Sequence, residues 1–161
     1  MALAHTPGPD ADPSLPVDVY LAVPEVFNSL MPALVHQVHN TSYLTDEVHD
    51  YSFRARQAVL PTLRAFFACL NANKLQSKTQ AELIRDLRHP QSEVRRMTVL
   101  CLDGFYADGG EELAARLMAE MLPSVVELTE DRDEAVVEAA RDFCTNLSHM
   151  TGQDVLYAMA S

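Results

Sequence analysis

The chain has 161 residues, 48% of them apolar, and is therefore long enough to bury one sizeable hydrophobic core. Its formal net charge of −11 argues against a nucleic-acid-binding domain taken as a whole, because phosphate contacts need a basic surface. It has no uninterrupted apolar stretch of about 18 residues and no basic-then-apolar N-terminus, so we expect neither membrane insertion nor secretion but a soluble intracellular protein.

The N-terminal segment is rich in proline. Five of the nine prolines lie within the first 25 residues, and the run "HTPGPDADPSLP" shows neither helical nor strand periodicity. We predict that residues 1–25 form a disordered lead-in and that residues 26–161 form a single helical domain.

Helical periodicity then recurs along the chain. Apolar or small residues follow the spacing 0, 3, 4, 7, 8 and 11 from Ala55, from Val94 and from Val136, starts that are 39 and 42 residues apart. This spacing is typical of helices buried along one stripe. The predicted elements are three helical pairs and a short final helix, at 27–40/46–71, 74–88/93–107, 111–129/133–150 and 153–159.

Residues at the predicted helix ends and inside the helices agree with these bounds. Ser92 stands where an N-cap belongs, and Gly109 and Gly152 stand where C-caps belong. Pro32 and Pro123 lie inside predicted helices, where a proline removes a backbone hydrogen bond and bends the helix.

An acidic turn precedes the last long helix. Asp131 and Glu134 have the spacing of a capping box, and carboxylates suit the positive end of a helix dipole. A calcium loop starting at Asp131 is disfavoured, because Val136 stands where the loop needs glycine and Asp142 where it needs a bidentate glutamate. Asp131 and Glu134 are therefore predicted to be structural turn residues.

Charge is unevenly distributed along the chain. Residues 53–97 contain nine Lys and Arg against three acids, a local charge of +6, whereas residues from 110 onward contain eleven acids and three arginines, a local charge of −8. Such a chain can dock neighbours by charge complementarity, although charged runs are more often solvated surface.

Helical pairs of about 40 residues are typical of HEAT-like repeats, which stack because one pair cannot bury its own apolar face. The run "HPQSEVRRMTVLCLDGF" resembles the turn and second helix of a HEAT repeat, with Val94 and Arg95 at its usual Val-Arg positions. The expected fold is all-α, a HEAT-like α-α superhelix or solenoid.

The order of the motifs over residues 27–161 is similar to the C-terminal repeats of the HEAT repeat-containing protein 1 family, also called U3 small nucleolar RNA-associated protein 10. The matching motifs, in chain order, are Leu30-Met31-Pro32, Pro61, Val94-Arg95, Gly110-Glu111-Glu112, Leu122-Pro123 to Leu128, Glu130-Asp131, Glu134, Val136 and Thr151-Gly152-Gln153. Two departures are Val137, where a HEAT second helix usually has arginine, and Pro90, where the turn usually has an acid.

This resemblance implies a non-catalytic scaffold that binds proteins of a ribosome-assembly complex, the small-subunit processome, in the nucleolus and supports pre-ribosomal RNA processing. An alternative keeps the fold but makes the chain a generic HEAT adaptor in the cytoplasm or nucleus, since fold does not determine function.

Direct RNA contact through the basic middle zone is a second alternative. Its candidate residues are Arg54, Arg56, Arg95 and Arg96, because arginine pairs at helix starts suit phosphate. No aromatic residues alternate with these arginines as base-stacking platforms would. Arg95 also has a structural interpretation, in which it pairs with the acidic turn of the adjacent repeat near Asp131.

We find little support for an enzyme or for a bound cofactor. His36 and His39 have zinc-ligand spacing, with His49, Asp46 or Asp50 as further candidates, but two histidines at this spacing are common by accident. The odd number of cysteines, without CxxC spacing, fits a reduced compartment, and Cys69, Cys101 and Cys144 are expected to be small core residues. We therefore predict no catalytic or metal residues, no cofactor and no small-molecule substrate.

Overall fold

The computed structural model describes residues 16–39, 55–70 and 73–160, and every regular element in these ranges is helical. The α-helices are α1 Val17–Leu21, α2 Pro24–Val35, α3 Leu60–Cys69, α4 Asn73–Asp86, α5 Ser92–Glu127, α6 Glu134–Thr151 and α7 Val155–Ala160. The 3-10 turns His36–His39 and Leu128–Glu130 follow α2 and α5, and the π-helical turn Ala55–Val59 leads into α3. The predicted all-α helical-repeat class is confirmed.

The chain divides into two compact units, with the boundary between Thr79 and Gln80. In unit 1, α1 and α2 both pack against α3. The rings of Phe27 in α2 and Phe66 in α3 stack with their centroids 6.3 Å apart, and both side chains are buried. Apolar stripes on short helices thus meet in a common core.

The predicted disordered lead-in extends too far into the chain. Residues 17–21 form α1, and Leu21 at its end is 0% exposed. Burial of Leu21 stabilises this helix despite the neighbouring prolines, and Pro24 occupies the first turn of α2, where proline is tolerated. The earlier part of the lead-in, residues 1–15, lies outside the described residues.

Helix α5 is interrupted at Gly110, whose φ of 65° and ψ of −156° are not helical. The interruption separates an N-terminal half, α5a (residues 92–109), from a C-terminal half, α5b (residues 111–127). The predicted break between the helices ending at residue 107 and starting at residue 111 is therefore confirmed, but the residue with positive φ is Gly110 instead of Gly109. Gly109 has another constraint, because a Cβ atom there would lie 2.5 Å from Leu113 Cβ.

The other helix ends agree only in part with the predictions. Gly152 is the left-handed C-cap of α6, as predicted. The N-cap of α5 is Gln91, without a side-chain cap bond, so the predicted N-cap Ser92 is instead the first helical residue. Pro32 lies inside α2 and Pro123 inside α5, as the sequence predicted.

In unit 2, α5 packs extensively against α6. Two side-chain contacts show their relative direction. Arg95 near the start of α5 pairs with Asp131 just before α6, and Asp103 in the middle of α5a contacts Asn146 in the second half of α6. Because both partners advance together along the chain, α5a and α6 run in the same direction. Their final turns, at residues 107–112 and 151–154, therefore lie at the same end of unit 2, which we call the glycine-turn end.

Candidate interaction site

The Arg95 guanidinium connects two inter-helix turns. Its Nε and Nη2 atoms donate to the two carboxylate oxygens of Asp131, at 3.0 and 2.9 Å. Its Nη1 donates to the backbone carbonyls of His89 and Pro90, at 2.8 and 3.0 Å. The turn between α4 and α5a is thus joined to the turn between α5b and α6. We call this arrangement the Arg95 clamp.

The carboxylate of Asp131 is as enclosed as its partner. The side chains of Arg95 and Asp131 are only 6% and 9% exposed. Asp131 Oδ1 also accepts a hydrogen bond from the backbone N–H of Asp133 at 2.9 Å. Burial raises the pKa of Asp131, but the hydrogen bonds from Arg95 and Asp133 and the nearby positive charges outweigh burial and hold this pKa below its usual value.

Helix position explains the clamp geometry. Arg95 lies in the first turn of α5, which directs its side chain back over the residues that precede the helix. Those residues form the short turn at Pro90, whose exposed carbonyl also accepts a longer 3.4 Å bond from Arg132. A planar fork of donors fits this set of oxygens, and a lysine ammonium would not reproduce it.

The structure overturns two expectations about these residues. Arg95 is not an accessible RNA or partner contact, because its donors are used inside the protein; its predicted pairing near Asp131 is confirmed. Asp131 is not the N-cap of α6: Asp133 fills that position and accepts from the backbone N–H groups of Ala135 and Val136. The capping box fails because the Arg95 guanidinium holds the Asp131 carboxylate away from the helix start.

The remaining predicted site residues are not gathered around the clamp. Glu134 is the first residue of α6 and is exposed. Arg96 is half-buried in α5a and has interactions of its own. Arg54 lies outside the described residues, as does the side chain of Arg56, whose backbone is in the π-helical turn Ala55–Val59. The partner-contact role of Arg54, Arg56 and Arg96 stays a prediction.

Unit 2 contains a buried set of hydrogen-bonded polar groups that the sequence did not predict. Gln80, 1% exposed, accepts a 2.6 Å hydrogen bond from the Tyr106 hydroxyl and donates to the backbone carbonyl of Leu117 at 3.0 Å. Burial and, to a lesser extent, the charge of Glu120 raise the pKa of Tyr106, so this hydroxyl stays protonated as a donor. The residues around Gln80 in the sequence contain no motif that would reveal this partner.

The residues considered for catalysis or metal binding are dispersed. Burial raises the pKa of Cys101 to about 12 and that of Cys144 to about 11, which disfavours a reactive thiolate. The rings of His36 and His39 lie 4.8 Å apart, while His49, Asp46 and Asp50 lie outside the described residues. Within residues 16–39, 55–70 and 73–160, no three His, Cys, Asp or Glu residues form a possible metal site.

Membrane insertion finds no support in the helices. Of those the structure describes, none combines the length and apolar character needed to span a bilayer.

The terminal helix α7 exposes an apolar face that the sequence analysis did not identify. Leu156, Tyr157 and Met159 are 37%, 74% and 41% exposed, and they account for three of the four large apolar side chains exposed in the described part of the chain. The sequence "VLYAMA" is apolar all round, which by itself indicates a buried helix, and the structure shows that Val155 is buried while these three side chains are not.

Comparison with known proteins identifies distant relatives. No family model matches the chain, and no solved structure matches it. The chain is 27% identical over 116 residues to the HEAT repeat-containing protein 1 homolog of Dictyostelium discoideum, covering 72% of this chain and 5% of that protein. It is 27% identical over 138 residues to U3 small nucleolar RNA-associated protein 10 of Chaetomium globosum, covering 86% of this chain and 7% of that protein.

A third relative is the HEAT repeat-containing protein 1 homolog of Drosophila melanogaster, with 29% identity over 129 residues, 80% of this chain and 6% of that protein. The chain thus corresponds to only about one-twentieth of the length of these relatives. Its predicted position at their C-terminal end stays a prediction. The similarity to HEAT repeat-containing protein 1 and U3 small nucleolar RNA-associated protein 10, expected from the order of the turns, is confirmed.

Proposed function

We propose that this chain is a non-catalytic helical-repeat scaffold that binds proteins during assembly of the small-subunit processome in the nucleolus and supports pre-ribosomal RNA processing. The observation that carries the proposal is the similarity of 86% of the chain to a protein named as U3 small nucleolar RNA-associated.

Structural features of unit 2 support a scaffold role. The Arg95 clamp and the Gln80–Tyr106 pair use buried polar groups to hold helices together. Stacked helical repeats present extended surfaces to partners while each repeat depends on its neighbours for stability. The polar groups with the most defined geometry in this chain therefore maintain the repeat and leave other surfaces for binding.

Affinity purification tests the proposal. The tagged chain would be purified from whole-cell extract with and without ribonuclease, with the tag alone as control, and proteins and U3 RNA would be quantified together. We expect small-subunit processome proteins to be enriched and to persist after ribonuclease, because a scaffold holds them by protein contacts. Recovery of unrelated cytoplasmic proteins without processome components would instead support a generic HEAT adaptor, as would cytoplasmic localisation of the tagged chain.

RNA contact is a second candidate function because α4 exposes two lysines. Lys74 and Lys78 are four residues apart, which places both exposed side chains on one face of α4. They lie in the predicted basic zone and, unlike Arg95, are not enclosed. Phosphate attraction through such lysines would weaken steeply as salt increases.

A direct binding assay distinguishes this candidate from the scaffold. If RNA contact occurs, binding of a labelled single-stranded RNA at low salt should weaken in Lys78→Glu but much less in Arg141→Glu, a matched change of an exposed arginine on α6. Absence of binding by the unmodified chain at low salt would exclude RNA contact, because phosphate attraction is then strongest.

A further inference from the structure

The exposed face of α7 differs from the rest of the described surface in being large and apolar. Leu156 and Met159 are three residues apart and lie side by side on the helix, and Tyr157 lies about 100° further around the helix axis from Leu156. All three are more than one-third exposed. We call Leu156, Tyr157 and Met159 the α7 patch. Exposed apolar surface rimmed by polar residues marks interaction sites.

Helix α7 is held in place, so the exposure of its patch does not reflect a detached end. Val155 is 2% exposed, and its backbone N–H donates to the Ser148 hydroxyl of α6 at 3.1 Å. The Asp154 carboxylate accepts from the backbone N–H of Tyr157 at 3.1 Å, which caps the helix start. One face of α7 therefore docks on unit 2 and the α7 patch faces outward.

The electrostatic surroundings of the patch are acidic. Helix α7 follows the turn at residues 151–154 and contacts both α5 and α6, which places it at the glycine-turn end. The two turns that form this end, residues 107–112 and 151–154, contain no Lys or Arg, and Arg116 of α5b contacts the first of them by pairing with Glu112 at 3.2 Å. Four acidic side chains in its two turns are exposed: Asp108, Glu111, Glu112 and Asp154.

An apolar patch beside acidic turns favours one class of binding partner over the others. Nucleic acid is disfavoured, because phosphates would meet four exposed carboxylates and one arginine, Arg116, that is already paired with Glu112. A second copy is disfavoured as well, because a symmetric contact through α7 would bring two acidic ends together. A protein helix with an apolar stripe flanked by Lys or Arg satisfies both features, by burying the patch and pairing with the acidic rim.

We propose that the α7 patch docks an amphipathic helix of a partner protein, with its apolar stripe against Leu156, Tyr157 and Met159 and its basic flanks against the acidic turns. The proposal deepens the scaffold function and rests on it. It can nevertheless fail separately, because it is tested with the purified chain and a synthetic peptide, whereas the processome assignment is tested by co-purification.

The test uses fluorescence anisotropy with a labelled helical peptide of about 18 residues that carries leucine on one face and lysine on the other. A peptide with glutamate in place of lysine tests the charge requirement. Leu156→Asp disrupts the patch, and Val19→Asp is the matched control, because Val19 is the fourth large apolar side chain exposed in the described ranges. Glu111→Lys alters the acidic rim, with Glu130→Lys as its control in the 3-10 turn after α5. Circular dichroism verifies that each variant folds.

We expect Leu156→Asp to raise the Kd by about tenfold or more, and Val19→Asp to change it by less than about twofold. Glu111→Lys should weaken binding more than Glu130→Lys does, the glutamate peptide should bind poorly, and raising NaCl from about 50 to about 500 mM should weaken binding.

Equal weakening by Leu156→Asp and Val19→Asp would overturn the proposal, as would absence of lysine-peptide binding up to about 100 μM. Dimerisation of the chain that is lost in Leu156→Asp, measured by sedimentation velocity, would replace the partner helix with a second copy. A peptide of residues 40–54 could displace the labelled peptide from the unmodified chain but not bind Leu156→Asp. That result would identify a segment of the same chain as the occupant of the patch.

Discussion

At the scale of single residues, Arg95 shows how a buried ion pair can serve structure instead of recognition. Four hydrogen bonds from one guanidinium satisfy a carboxylate and two backbone carbonyls of different turns. Removing one partner of such a buried pair leaves the other charge uncompensated, which costs more than the net stabilisation from the intact pair.

We therefore predict that Arg95→Ala lowers the free energy of unfolding by about 3–5 kcal/mol. Arg95→Lys should recover little of the loss, because an ammonium cannot reproduce the two-pronged contact with Asp131. Urea denaturation measures both changes. Arg132→Ala is the control, since Arg132 is exposed and its bond to the Pro90 carbonyl is long, and should cost less than about 1 kcal/mol. Equal losses in the two alanine variants would contradict the clamp.

The lowered pKa of Asp131 leads to a pH dependence with a defined sign. A carboxylate with a folded-state pKa below its unfolded value stabilises the protein at pH values above the unfolded pKa, and this contribution is lost as pH falls through the folded pKa. The unfolded value is about 4. Asp131→Asn should consequently be less stable than the unmodified chain at neutral pH, and the difference should shrink below about pH 4.

Urea denaturation of both proteins between neutral pH and pH 3 measures this difference. The acids that the two proteins share titrate in the same way in both, so their effects cancel in the difference. When Arg95 is replaced by Met, the stability difference between the chain with Asp131 and its Asp131→Asn variant should vary less with pH, because the main partner of the Asp131 carboxylate has been removed. A difference that grows as the pH falls would show that the sign is wrong.

At the scale of elements, the Gly109–Gly110 pair separates α5a from α5b for two distinct reasons. Gly110 has a backbone conformation essentially restricted to glycine, whereas Gly109 leaves no room for a Cβ atom beside Leu113. Gly152 has a different geometry, with φ 71° and ψ 15°, which is the left-handed helical region that asparagine also tolerates.

This contrast predicts different responses to the same substitution. Gly110→Asn should lower the free energy of unfolding by about 1–3 kcal/mol, because its φ and ψ are costly for any residue with a side chain. Gly152→Asn should cost less than about 1 kcal/mol, because asparagine is accepted at left-handed C-caps. Thermal and urea unfolding would measure both, and equal costs would contradict the assigned backbone conformations.

At the scale of the whole molecule, the reactivity of the three cysteines measures which parts of the chain unfold. Cys101 and Cys144 are buried in unit 2 with raised pKa values, whereas Cys69 in unit 1 is half-buried. A thiol reacts through its thiolate and only when a reagent reaches it.

We predict that iodoacetamide modifies Cys69 of the native chain first. Cys101 and Cys144 should remain protected and then become reactive together as urea unfolds unit 2, because both belong to the core between α5 and α6. Mass spectrometry of the peptides measures each rate. Rapid native-state labelling of Cys101 would contradict its burial, and Cys69→Ser verifies that labelling of Cys69 does not itself open the chain.

Much of the fold was predictable because it depends on local periodicity. The stripes beginning at Val94 and Val136 are buried throughout, since a helix buries residues three and four apart on one face. The stripe beginning at Ala55 agrees only in part, because Leu63 and Phe66 are buried whereas Ala58 is exposed. The break near Gly110 was likewise predictable from the local sequence. The choice of Gly110 over Gly109 for the positive φ was not, because either residue of a Gly-Gly pair can adopt that conformation.

The candidate site was less predictable, since its contacts join residues far apart in the chain. Pairing of Arg95 with Asp131 could be inferred as one of two alternatives from the repeat spacing, but the sequence could not show that burial would remove Arg95 from the binding surface. The N-cap of α6 is another example. The capping-box spacing predicted Asp131 as the N-cap, but Asp131 pairs with Arg95 and Asp133 caps the helix.

The sequence by itself determined the all-α class, the repeat period and the resemblance to HEAT repeat-containing protein 1, because apolar spacing and turn residues are properties of consecutive residues. Only the tertiary structure decided that Arg95 is internal, that Gln80 and Tyr106 share a buried hydrogen bond, and that α7 exposes an apolar face at an acidic end. Whether a side chain is a core contact or a surface contact depends on which other helices cover it, and that is set by packing across the whole repeat.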